Sequence, residues 1–454
     1  MTGRLLVRGA TLVRPDGGTD ADILVEDGVV VAIGRDLAAP AGATEFDAAG
    51  LHAFPGAVDT HVHFNEPGRA DWEGLATGSR ALVAGGGTTF GDMPLNNLPL
   101  TLDGPSFDEK VAIASRVSHA DFALWGGLVP GNVAALPELH ARGAIAVKAF
   151  MSDSGLPEFP ASDDYTLLRG MEVAASLGMI VAVHAESDAI TRGLTAEARG
   201  AGQRGAMAWA ASRPVLAETE AISRAIHLAE ATGVRLHVVH VSSGRGAVMI
   251  AEARARGVDV TSETCPHYLT FTDEDVARLG AIGKCAPPVR NAEERARLWA
   301  AVTSGAVDMV VSDHSPSPPS MKEGDDFFAM WGGIPGVQTT LGTLLEEGPA
   351  HGLDLGSIVR LVAAGPAARF GLAPSKGTIS VGADADLALV DLRNRHVVSQ
   401  ATLHYRHPQS PFVGRTVRGL VVRTILRGEV VAEKGAPVGE ARGRLVRPVG
   451  CVAA

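Results

Sequence analysis

Between about residues 50 and 370, short apolar runs alternate with amphipathic, Ala-rich stretches, and that alternation predicts βα units carrying a parallel sheet. Eight runs qualify as strands: AFPGAVDTHVHF, GTTFGDMP, DFALWGG, GAIAVKAF, MIVAVHAE, RLHVVHVSS, VDVTSETCP and VDMVVSDHS. Helical stretches fall between most of them, such as VLAETEAISRAIHLAEATG at 215–233 and NAEERARLWAAVTSG at 291–305. Eight strands over about 320 residues suit a (β/α)8 TIM-like barrel with some long loops. A doubly wound open sheet shares the same pattern.

The two ends of the chain read differently. LLVRGATLV and DILVEDGVVVAIG, followed by a Pro/Ala/Gly stretch at 38–45, are short β-rich runs divided by turns. GTISVGADADLALVDL and RTVRGLVVRTILRGEVVAEK repeat that pattern near the other end. Neither end is long enough for a comfortable core of its own. Residues 1–50 and 372–454 are therefore expected to pair into one small composite β-sandwich module beside a barrel of residues 51–371.

Composition narrows the function. The 454 residues are 46% hydrophobic, 20% charged and 5% aromatic, which is globular and neither disordered nor fibrous. Forty basic against 51 acidic residues give a net charge of -11, so a general electrostatic grip on nucleic acid or an anionic membrane is excluded. Cys265, Cys285 and Cys451 are an odd number without C-x-x-C spacing, which supports neither a disulfide framework nor a zinc ribbon. The opening residues are broken by Arg, Gly and Asp before an apolar signal core forms, and no run of 18 apolar residues occurs. A cytoplasmic protein acting on a small molecule is the expectation.

The 15 histidines carry the chemistry. His61 and His63 end the first run, Lys148 the fourth, His184 the fifth, His240 the sixth and Asp313 the eighth. In a parallel barrel these strand ends converge on the face where active sites lie. Along a strand the side-chain period is two, so both imidazoles of H-x-H point the same way and reach one metal ion. One such pair among 15 histidines is weak, and a single buried His is usually a packed one. Repetition at the same end of several apolar strands is what favours a metal site, because unpaired burial is costly. Four histidines and a carboxylate exceed the needs of one tetrahedral ion, so two divalent cations with a bridging group are expected, Zn2+ ahead of Co2+, Mn2+ or Fe2+. Among apolar neighbours the Lys148 amine is depressed in pKa and nucleophilic, and it could capture carbon dioxide as a carbamate that spans two cations. An unmodified Lys148 paired with a carboxylate is the alternative.

DTHVHF, VKAF, VAVHAE, VVHVSS and VVSDHS together resemble the amidohydrolase superfamily, specifically its cyclic-amide branch of dihydroorotases, hydantoinases and allantoinases. The resemblance spans essentially the whole chain. It implies that His61, His63 and Asp313 hold one ion and His184 and His240 the other, with N6-carboxylated Lys148 bridging them, and that Asp313 is the catalytic base. Homotetramers are common among such relatives. Dihydroorotases of this kind carry Arg in H-x-H-x-R and Asn in M-P-N to grip a substrate carboxylate, whereas Asn65 and Leu95 stand there here. Asn cannot replace a guanidinium fork. HVHFNEPGRADWEGLATGS, DMPLNNLPLT, KAFMSDSGLPEFP, KCAPPVR, SDHSPSPPSMK and MWGGIPGVQ resemble the allantoinase pattern, which implies hydrolysis of the hydantoin ring of allantoin to allantoate. Asn65, Cys285 and Ser315 are candidates for substrate contact, although turn-making and a plain buried Cys285 compete with that reading. A hydantoinase, dihydropyrimidinase or dihydroorotase activity is the alternative, and a silent structural homologue the remote one.

Overall fold

The computed structural model describes residues 3–450, so Cys451 lies outside the described residues. Eight parallel strands form the centre: Ala57–Val62, Gly87–Asp92, Asp121–Leu124 continuing at Gly126–Gly127, Val147–Phe150, Ile180–His184, Arg235–Val238, Val260–Thr264 and Met309–Val310. Each predicted run supplies one of them. The ring closes where Val62 bridges in parallel to His314 and the His63 N–H donates to the His314 carbonyl at 2.8 Å. That closure decides for a barrel over an open sheet.

Helices return the chain between strands, and their starts are written locally. Asp103, Asp163, Ser243 and Asn291 each accept the backbone N–H three residues on, satisfying a donor the helix leaves free. The predicted stretches 215–233 and 291–305 appear as Val215–Thr232 and Ala292–Thr303. The core runs through the ring and under the helices, with Phe90, Phe122, Trp125, Val181, Leu236 and Val310 fully enclosed. This buried apolar packing is the main force holding the strand ends in place.

Strands from both ends of the chain form one nine-stranded sheet. Its hydrogen-bonded order is Ala436–Pro437, Glu429–Glu433, Thr416–Leu426, Leu387–Val397, His52–Pro55, Arg4–Arg14, Gly17–Glu26 and Val29–Gly34, with Thr44–Asp47 pairing to Arg4–Arg14. Val7, Leu12, Ile23, Val25, Leu389 and Ile425 fill a separate small core. The last segment leaves this sheet and returns to the barrel base. There Phe122 donates to the Arg444 carbonyl at 2.9 Å and accepts from Val446 at 2.7 Å.

Candidate active site

His61, His63, Lys148, His184, His240 and Asp313 all arrive at the C-terminal mouth of the barrel, and all are buried. Strand alternation turns His61 and His63 to one side, with ring centroids 5.4 Å apart. Their Nε2 atoms lie 3.2 and 3.5 Å from one Asp313 oxygen. Across the mouth, His184 Nδ1 faces His240 Nε2 at 3.1 Å. His240 and Asp313 follow their strands with φ of 38° and 45°, a backbone region that non-glycine residues pay to occupy. Asn65 and Asn96, at 64° and 70°, adopt it in neighbouring loops.

Buried carboxylates fix which nitrogen each imidazole offers. His61 Nδ1 pairs with Glu263, whose other oxygen meets His237 Nε2 at 3.0 Å. His184 Nε2 pairs with Glu186 at 2.8 Å, and Arg213 donates to the same Glu186 oxygen at 2.9 Å. Such outer partners lock ring orientation and strengthen the inner nitrogen as a ligand. Burial lowers the pKa of His61, His184 and His240, which keeps the rings neutral with a lone pair free. Burial alone would raise the Asp313 carboxyl, but His61 and His63 hold it below the usual carboxylate range.

Lys148 is fully enclosed. Its ammonium lies 4.8 Å over the Phe150 ring and has no carboxylate ion-pair partner among the described residues. Burial brings its pKa down to about 8, against the pull of Asp313 and Glu263.

This donor set fits divalent cations. One ligand atom from each of His61, His63 and Asp313 lies within 4.8 Å of the other two. Among the described residues His61 Nε2 is buried without a hydrogen-bond partner. Two further nitrogens converge at 3.1 Å, where neutral rings present lone pairs. Neutral imidazoles beside a carboxylate are what zinc and its neighbours coordinate.

Above these groups opens a cavity of about 350 Å³. Cys285 and Ser315 line it, as do Leu95 and Asn96. The Cys285 thiol donates to the Pro287 carbonyl at 3.3 Å, and burial pushes it up to about 12. Asn65 is buried outside the lining, its amide turned to the Pro316 carbonyl at 3.3 Å. The loop after the eighth strand forms one wall through Phe328, Met330 and Trp331. Gly333 lets it pass Ser315, since a Cβ there would stand 2.2 Å from the Ser315 carbonyl oxygen. Lys284 anchors this wall by donating to the carbonyls of Phe327 and Met330 at 2.6 and 2.5 Å. Lys322 does the same to Gly333 at 2.9 Å.

Residues 53–431 match the profile of the amidohydrolase family. An allantoinase of Solibacter usitatus is 54% identical over 444 residues, 98% of this chain and 96% of that one. One of Rubrobacter xylanophilus is 55% identical over 446 residues, 98% and 97% of the two chains. The solved structure of the L-hydantoinase (dihydropyrimidinase) from Arthrobacter aurescens superposes with a TM-score of 0.95 at 38% identity, covering 98% of this chain and 100% of that one. The chain belongs to the amidohydrolase family. It is a hydrolase of cyclic amide C–N bonds on a TIM barrel that uses divalent metal.

Glu186, Glu263, Arg213 and Lys284 escaped the sequence reading. The two glutamates carried a signal: Glu186 lies two residues after His184 and Glu263 two before Cys265. Lys284 and Lys322 carried none, because their partners are backbone carbonyls.

Proposed function

We propose that this amidohydrolase opens the hydantoin ring of allantoin, giving allantoate. Near full-length identity of 54 and 55% to two allantoinases carries the reading. The cavity supports it. Among the cationic side chains that line it, Lys148 is taken up in the bridge described next, Lys284 donates to backbone carbonyls and Arg213 pairs with Glu186, and Asn65 stands where a dihydroorotase carries the arginine fork for its substrate carboxylate.

In this reading His61, His63 and Asp313 hold one divalent cation and His184 and His240 the second, with Lys148, carboxylated by carbon dioxide, shared between them. Zn2+ is the cation that such nitrogen and carboxylate donors suit best. When bound, the pair supplies Lewis acidity toward the ring carbonyl and lowers the pKa of water to about 7. Asp313 is the proton carrier. Held as an anion by His61 and His63, it takes the proton of the attacking water as the C–O bond forms. It then returns that proton to the ring nitrogen as the C–N bond breaks. Cys285, Ser315 and the Phe328–Gly333 wall enclose the substrate, while Asn65 fixes the Pro316 loop.

Residues 1–50 with 372–454, joined by the strand His52–Pro55 from the expected barrel range of 51–371, act as a composite β module beside the catalytic barrel, in a cytoplasmic homotetramer; light scattering measures the assembly. No helix among the described residues is long and apolar enough to cross a membrane. A substrate panel of allantoin, 5-substituted hydantoins, dihydrouracil and dihydroorotate, run on metal-loaded protein with and without chelator, tests the function. Allantoin should dominate and chelation should abolish turnover. Dominant turnover of a hydantoin or of dihydroorotate would overturn the substrate.

A further inference from the structure

Beside the six groups of the mouth lies a second set of donors that this chemistry leaves unused. Cys265 follows the seventh barrel strand, and His267 sits in the short helix Pro266–Thr270. Both side chains are enclosed, at 0 and 1% exposure. Among the described residues neither ring nitrogen of His267 has a hydrogen-bond partner, and Cys265 is a free thiol. Burying a polar group unpartnered is costly, and this ring carries two such atoms. One ligand atom from each of Cys265, His267 and Asp313 lies within 4.8 Å of the other two.

We propose that Cys265, His267 and Asp313 form a third cation site, selective for soft or borderline divalent ions such as Zn2+ and Cd2+, whose filling switches the enzyme off. Thiolate, imidazole and carboxylate together are a zinc-type donor set, and the sulfur favours soft ions over Mg2+ or Ca2+. Asp313 can serve two sites, because a carboxylate has two oxygens and about four lone-pair positions. The cation reaches Asp313 from the cavity that this residue lines. On binding, the Cys265 Sγ–H bond breaks, its electron pair goes to the cation and its proton to solvent. The Asp313 lone pair is then withdrawn from proton transfer, a consequence that rests on the catalytic role proposed above.

The test is a titration of enzyme already holding two equivalents of Zn2+, using CdCl2 or ZnSO4. A third bound ion per chain is expected by metal analysis. With Cd2+ an ultraviolet thiolate-to-metal absorption band should rise in step with a fall in turnover. Cys265→Ser should abolish the band, and both Cys265→Ser and His267→Gln should raise the inhibitory concentration about tenfold or more, relative to each variant's own uninhibited rate. Cys265→Ala replaces the serine variant if that one fails to fold. Saturation at two ions overturns the proposal, and so does a band that survives loss of Cys265, which would assign the thiolate to Cys285 or Cys451. Ion count and absorption do not depend on the substrate, so a third ion in a protein inactive on allantoin sinks the functional reading alone.

Discussion

Two clusters of buried charge lie at opposite ends of one barrel, and they are built on different terms. At the base, Lys376 meets Asp386 at 2.7 Å, Asp384 at 2.9 Å and Asp121 at 2.5 Å, and Arg427 also pairs with Asp121. Burial alone would lower the Lys376 pKa, but the carboxylates carry it above the ordinary lysine value. At the mouth, Lys148 is equally enclosed, has no such partner and is pushed down to about 8. Both sites pay desolvation. The base recovers it inside the protein, tying the end-strand sheet to the barrel, whereas the mouth holds lone pairs in place for something brought from outside. Satisfaction of its polar atoms therefore separates the site that holds the fold from the site proposed to do chemistry.

The largest effect should come from Asp313→Asn. In the proposed mechanism it removes the proton carrier and one negative ligand, so kcat for ring opening is expected to fall about 10³-fold or more, at the upper part of the range for general acid–base catalysis. Steady-state turnover beside metal analysis and a thermal melt checks this. Near-normal turnover would remove Asp313 from catalysis. Lys376→Met attacks the other cluster. Three carboxylates left without their shared ammonium should cost about 3–5 kcal/mol of stability, read by urea unfolding, while kcat per folded chain stays unchanged. A loss of kcat at full stability would erase the distinction between the clusters.

Legibility in the sequence followed the same division. His61, His63, His184, His240, Lys148 and Asp313 were readable because each ends an apolar run, and strand ends of a parallel barrel share one face. The eight βα units were readable because apolar runs alternate with amphipathic stretches, but that pattern fits an open sheet equally, and only the Val62–His314 pairing closes the ring. The base cluster was invisible: Lys376 and Asp121 are 255 residues apart, and nothing local marks them as partners. Asn65 looked like a pocket residue because it follows H-x-H, but a φ of 64° leads its amide to Pro316 instead. The Arg444–Val446 return to the barrel base lacks any periodic pattern, so composition grouped it with the end strands.

Glu263 tests how far the mouth depends on its own internal partners. It engages His61 and His237 and accepts the His240 N–H at 3.3 Å. Burial alone would raise its carboxyl, but His61 and His237 bring it down to about 2. Glu263→Gln should weaken metal affinity about 10–100-fold with the fold retained, as measured by competition against a chromogenic chelator. Unaltered affinity would show that the inner nitrogens need no such orientation.

The smallest effect is one of pH, and it turns on the proposed carboxylation of Lys148. Only the neutral amine captures carbon dioxide. With a pKa of about 8, its neutral fraction rises about tenfold per pH unit below that value and levels off above it. An ordinary lysine would keep rising to about pH 10.4. When metal-free, decarboxylated protein is given Zn2+ at constant dissolved carbon dioxide, the rate of activity recovery should climb from about pH 6 and flatten near pH 8. Lys376, surrounded by carboxylates, shows no such inflection because its ammonium is held throughout this window. A recovery rate that climbs through pH 10 would mean that the barrel mouth leaves Lys148 as basic as a solvated lysine, and the contrast between the two buried lysines would fail at its sharpest point.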